Sequence, residues 1–138
     1  MPLYHVLPAV AAAAFLLAGP IVIARADAVA RRAAWLVPAA LSATFLGWSV
    51  RAVAIEGPLG FWPEHIRNAW GNQIWFDLLL GVGTAFALLA PRARGQGMRL
   101  TPWFVAIACT GNVGLLAMFA RYLFLCERQG TAVGDRTQ

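Results

Sequence analysis

Four long apolar runs separated by short polar intervals organise the chain: Leu3–Ala24, Ala33–Ile55, Gln73–Ala90 and Leu100–Leu125. About 20 consecutive apolar residues are what a helix needs to cross the hydrocarbon layer of a bilayer. The pattern therefore predicts an all-α protein, a four-helix transmembrane bundle. Pro8, Pro20, Pro38 and Pro102 fall near the predicted helix ends or in first turns, where proline is best tolerated, and Pro91 stands where the third helix should stop. The fourth run is long enough to tilt or to project beyond the lipid. Between the second and third spans, Pro63 can open a short helix on which Trp62, Ile66 and Trp70 repeat every four residues. Glu64, His65, Arg67 and Asn68 take the other side. That periodicity predicts a short interfacial amphipathic helix, lying flat on the membrane or folding over the bundle as a lid.

Composition agrees with the pattern. The chain is 60% hydrophobic and 12% charged, whereas a water-soluble domain carries about 25% charged residues. Too little polar surface exists to cover a soluble globule, and no polar run is long enough to link two domains, so residues 1–138 read as one integral membrane domain. No Lys or Arg precedes Leu3–Ala24, so the positive region of a signal peptide is missing and this run reads as a retained span. All eleven basic residues are arginines, and the chain is rich in alanine, which suggests a GC-rich bacterial genome.

The arginines sit in short loops, which is a topology signal and not a nucleic-acid patch. Arg25, Arg31 and Arg32 occupy the first loop and Arg92, Arg94 and Arg99 the third, while Glu56–Asn72 holds only Arg67. The positive-inside rule places loops one and three in the cytoplasm. Both termini and the second loop then face outward from a multi-pass protein of the bacterial inner membrane. Trp35 and Trp103 near one end, and Trp62, Trp70 and Trp75 near the other, suit interfacial anchoring.

Three spans carry one charge each: Arg51, Asp77 and Arg121. At about 1.5 Å per residue, all three lie about 6 Å below the outer surface, and they predict a salt-bridged layer. Small residues follow each charge inward at helical spacing: Gly47, Thr44 and Ala40; Gly81 and Thr84; Ala117, Gly114 and Thr110. Such faces let membrane helices approach closely. In one reading the charges fix helix register; in the other they line a polar pocket beneath the Trp62–Trp70 segment, with Asp77, Glu64 or His65 as proton donor or ligand group. Asn112, near the middle of the fourth run, is the deepest strong polar group and is suited to an interhelical hydrogen bond. Cys109 and Cys126 would lie about 25 Å apart on one helix, beyond disulfide reach. No metal-ligand spacing occurs, neither His5 nor His65 is placed as an axial haem ligand, and the pattern names no cofactor, pigment, quinone or lipid.

The segment Trp75-Phe-Asp77, the loop Arg92-Ala-Arg-Gly-Gln-Gly-Met-Arg99 and the tail Arg121-Tyr-Leu-Phe-Leu-Cys-Glu-Arg128 resemble an uncharacterised family of small bacterial multi-span membrane proteins. Its members carry Trp-Asp at a span start, a loop ending in Gly-Met-Arg and a Leu-x-x-Arg-Glu-Arg-like tail. The resemblance runs from Trp62 to Arg128. Here the loop lacks the family's leading Glu, Cys126 replaces a basic position, and the chain begins with an extra helix. The resemblance implies membrane topology and no activity.

Three functions follow as expectations. One is a non-catalytic accessory or structural subunit that packs against other membrane subunits or against itself within the lipid bilayer. Another is a membrane-embedded enzyme acting on a lipid or isoprenoid with Asp77 as acid. The last is a small transporter built as an oligomer. A transporter needs ionisable groups near the midplane, and the central layers hold only Thr44, Thr84, Thr110 and Asn112.

Overall fold

The computed structural model describes residues 3–24 and 33–135, which hold six helices and, among the described residues, no strand. The elements are α1 (Leu3–Ala24), α2 (Leu36–Glu56), α3 (Phe61–Ile66), α4 (Ala69–Gly95), α5 (Leu100–Thr110) and α6 (Asn112–Asp135). The loop carrying Arg25, Arg31 and Arg32 lies outside the described residues. The first helix belongs to a compact unit of its own, and the residues from Ala33 onward form a second.

Within the first unit, α1 keeps its predicted bounds and passes through Pro8 and Pro20. In the second unit, α2 stops where Gly57 takes a positive φ of 81°, its N–H bonded to the Val53 carbonyl. Asn68 starts α4: its backbone is extended and its side-chain oxygen accepts from the Gly71 N–H at 2.9 Å. Asparagine is favoured at this position because it satisfies an orphan donor of the first turn. The helix then continues through Pro91 to Gly95, past the predicted stop. Pro91 removes one backbone donor, and one residue later the Arg92 guanidinium donates to the Leu88 carbonyl.

Both α2 and α4 are long and apolar enough to cross a membrane. Only 11% and 6% of their most apolar windows are buried, so most of each apolar surface faces outward. Leu41, Phe45, Val50, Leu79, Leu80 and Leu88 all point outward.

The fourth apolar run is not one span. It breaks at Gly111, with φ 58° and ψ −125°, a conformation that side chains other than glycine's rarely adopt. Beyond that point the chain folds back. A Cβ placed on Gly114 would lie 2.8 Å from the backbone of Ala106 and Ile107, residues that would be about 10–12 Å away along a continuous helix. Thr110 seals the turn: its hydroxyl donates to the Ala106 carbonyl at 2.6 Å and accepts from the Gly114 N–H at 3.0 Å. With eleven residues, α5 reaches about 16 Å, half of the roughly 30 Å hydrocarbon layer.

The core lies around this hairpin. Met118 is fully buried, with Leu89, Ala93, Met98 and Ile107 around it. The second helix runs antiparallel along the other side of α6. Ser42 donates to the Val113 carbonyl at 2.9 Å, Trp35 meets Phe124 edge to face at 5.4 Å, and both Glu127 oxygens accept from the Ala33 N–H. Ser42→Ala is expected to lower stability in detergent by about 1 kcal/mol, the scale of one interhelical hydrogen bond in a membrane protein. A thermal melt indistinguishable from wild type would show that this bond contributes nothing.

Candidate functional site

The hairpin dismantles the charged layer that straight spans imply. Ser42 stands beside Val113, and Arg51 follows Ser42 by nine residues in one direction along the axis. Arg121 follows Val113 by eight residues in the other. At about 1.5 Å per residue the two arginines are about 25 Å apart along the bundle. Among the described residues, no ion pair joins Asp77 to Arg51 or Arg121; the ion pair there is Glu64–Arg67 at 3.1 Å on the surface. Each arginine lies over an aromatic ring of its own helix instead: Arg51 over Trp48 at 5.2 Å and Arg121 over Phe124 at 5.6 Å. Asn112 sits at the start of α6, next to the turn, and not in mid-helix.

The small-residue faces are also not the packing faces of α2 and α4. The second helix packs through Trp35, Pro38 and Ser42, while Ala40, Thr44, Gly47 and Arg51 are exposed. The fourth packs through Val82, Phe86, Leu89 and Ala93, while Asp77, Gly81 and Thr84 are exposed. Arg51 is nine residues from Ser42, and Asp77 is nine from Phe86. At about 100° per residue, nine residues turn half a circle, so each charge points away from the core.

The expected Trp62–Trp70 helix divides in two. The third helix ends at Ile66, and Trp70 belongs to α4 beyond the Asn68 cap. Trp62, Ile66 and Trp70 are all exposed. The third helix lies on the first turns of α4: Phe61 stacks on Trp75 at 5.8 Å, the His65 ring lies 4.4 Å from that of Trp75, and Asn72 donates to the His65 carbonyl. Gly71 allows the approach, since a Cβ there would strike the Glu64 carbonyl. Trp75 and Asp77 are two residues apart and thus about 200° around the helix. Asp77 consequently faces away from α3, and Glu64, His65 and Asp77 do not converge.

What remains is a pair of opposite charges on two separate outward faces toward the same end of the bundle. Arg51 is five residues past Leu46, the midpoint of α2, and Asp77 is five residues before Val82, the midpoint of α4. Chain direction puts both displacements toward the α3 end. Registration through the core places both above the level of Val113. Phe86 meets Phe104, Ile107 meets Gly114, and Ser42 meets Val113. From the level of Val113, the Asp77 backbone then stands about 8 Å higher and the Arg51 backbone about 14 Å higher, with the Arg51 guanidinium folded back over Trp48, one turn below. Side chains on a helix lean toward its N-terminus, which lowers Arg51 and raises Asp77.

Two determinants of this geometry lie outside the expected site: the Ser42–Val113 bond and the Glu127 clamp on Ala33. Nothing in the sequence distinguishes Ser42 from Thr44 or Ser49 on the same apolar run. Glu127 is the one acid near the end of the fourth run, and it could have been weighed as a partner for a helix start. Comparison with protein-family models, curated proteins and solved structures finds no match.

Proposed function

We propose that the chain is an accessory or structural subunit of the bacterial inner membrane that works by packing against other membrane-embedded chains. One observation carries this reading: Arg51 and Asp77 both stand on outward faces of the two membrane-length helices, about 7–8 Å from the helix midpoints. An ionised side chain facing hydrocarbon near mid-membrane costs about 3 kcal/mol even on translocon scales. A protein neighbour that supplies the opposite charge removes much of that cost, and the small residues beside each charge admit a close neighbour.

The enzyme reading has less support. It called for Asp77 in a cavity roofed by α3, and α3 lies on the other side of α4.

Extracted in mild detergent and weighed by native mass spectrometry, the chain is expected in particles of more than one polypeptide. A particle holding a single 14.8 kDa chain, recovered alike from several detergents and from lipid nanodiscs, would sink the proposal.

A further inference from the structure

We infer that the neighbour is a second copy of this chain, set head to tail: the Arg51 face of α2 in one copy lies against the Asp77 face of α4 in the next. The inference rests on the reading of the chain as a member of a membrane assembly, and it names the partner.

Three observations combine. First, the charges are opposite and lie toward the same end: by residue counting the Asp77 and Arg51 backbones stand about 8 and 14 Å above the level of Val113, and the Arg51 side chain, folded back over Trp48 one turn below, reaches toward the Asp77 level. A bilayer holds all copies of a chain in one orientation, so only groups at equal depth meet when copies pack side by side. Arg51 and Asp77 fulfil that condition for each other. An unrelated partner would have to supply a carboxylate for one face and a cation for the other; a second copy supplies both from the same sequence.

Second, each charge sits half a turn from the residue by which its helix packs, Ser42 on α2 and Phe86 on α4. Both faces therefore point away from α6, and within one chain no ion pair forms between them. A single two-fold partner cannot cover two faces turned in different directions. Head-to-tail contacts cover both, and repetition that closes into a ring leaves no Arg51 or Asp77 facing lipid.

Third, the surface beside each charge is open. Gly47 lies one turn from Arg51 and Gly81 one turn from Asp77, and a Cβ at either position would meet nothing within 4 Å. Among the described residues from Ala33 onward these glycines serve no contact. Between chains they let the two helices approach until a short arginine–aspartate contact forms.

The experiment uses two differently tagged full-length copies co-expressed in one membrane, with capture through one tag and detection of the other. Wild type is expected to capture itself. Arg51→Glu alone and Asp77→Arg alone each set like charges face to face, and self-capture should fall by about tenfold or more. Co-expressing Arg51→Glu with Asp77→Arg should restore capture between the two variants, because the introduced carboxylate then faces the introduced guanidinium. Misfolded chains would not recover in this way. Gly47→Leu should melt like wild type, since it has room within the chain, yet capture itself poorly.

Undiminished self-capture by the charge-inverted variants overturns the inference, as does undiminished self-capture by a normally melting Gly47→Leu. Failure of the mixed pair to recover, when each variant melts like wild type, does the same. A photo-crosslinker at position 81 that labels a different polypeptide would refute self-assembly and leave the subunit reading standing. A solitary chain would refute both.

Discussion

Gly114→Leu is expected to unfold the core hairpin, with a loss of stability above about 3 kcal/mol. A Cβ at this position falls 2.8 Å from backbone atoms of Ala106 and Ile107, and backbone cannot swing aside as a side chain can. Ordinary overpacking of a core costs about 1–3 kcal/mol because neighbours adjust. Here the adjustment available is to lift α5 off α6, which separates Ile107 from the fully buried Met118. It also strains the Thr110 hydroxyl bridge that closes the turn. Gly83→Leu is the control: it places the same side chain on an apolar helix where a Cβ meets nothing within 4 Å, and it should melt like wild type. Thermal melts of the two variants in one detergent decide the matter, and a Gly114→Leu melt close to that of Gly83→Leu would show that the hairpin does not form.

That glycine marks the limit of what hydropathy could reveal. The bounds of α1 and the presence of α2 and α4 follow from run length and composition, because a helix long enough to span lipid must be apolar throughout. The break at Gly111 does not follow, since α5 and α6 are apolar on both sides of it and a run of hydropathy carries no direction. Asn68 is a different case. Its preference for a helix start was available, but the four-residue spacing of Trp62, Ile66 and Trp70 argued for one continuous helix, and the local capping bond prevailed. The small-residue faces of α2 and α4 are legible as patterns, but they are exposed and are not the packing faces. Small residues mark a face that a neighbour can approach closely without saying that the chain itself packs there, and in α2 and α4 the packed faces are those of Ser42 and Phe86. Assuming straight spans moved Arg121 by the length of the bundle and made three charges look like one layer. Arg51 and Asp77 still lie toward one end, because each is five residues from the midpoint of its helix on the side of α3.

The second large effect concerns which side of the membrane the end of α6 occupies. Four straight spans put it opposite the Arg92–Arg99 loop; the hairpin returns it to the same side, where Glu127 clasps Ala33. Cysteine labelling separates the two outcomes without intermediate values. With Cys109 and Cys126 replaced by alanine, single cysteines at Gly130, Gly95 and Leu59 are probed with an impermeant maleimide in intact cells. Gly130→Cys and Gly95→Cys should both be protected until the membrane is opened, while Leu59→Cys reacts at once. Leu59 is 71% exposed, and Gly95 and Gly130 are open to solvent-sized neighbours, so local burial does not confound the readout. The arginines favour this outcome. In the four-span arrangement Arg128 and Arg136 face outward against the positive-inside rule, whereas after a hairpin Arg128 joins Arg92, Arg94 and Arg99 on one side. Of the described arginines, only Arg51 and Arg67 then remain toward the α3 end, one over the Trp48 ring and the other paired with Glu64. Reaction of Gly130→Cys from outside intact cells, with Gly95→Cys protected, would restore a continuous fourth span and remove the hairpin.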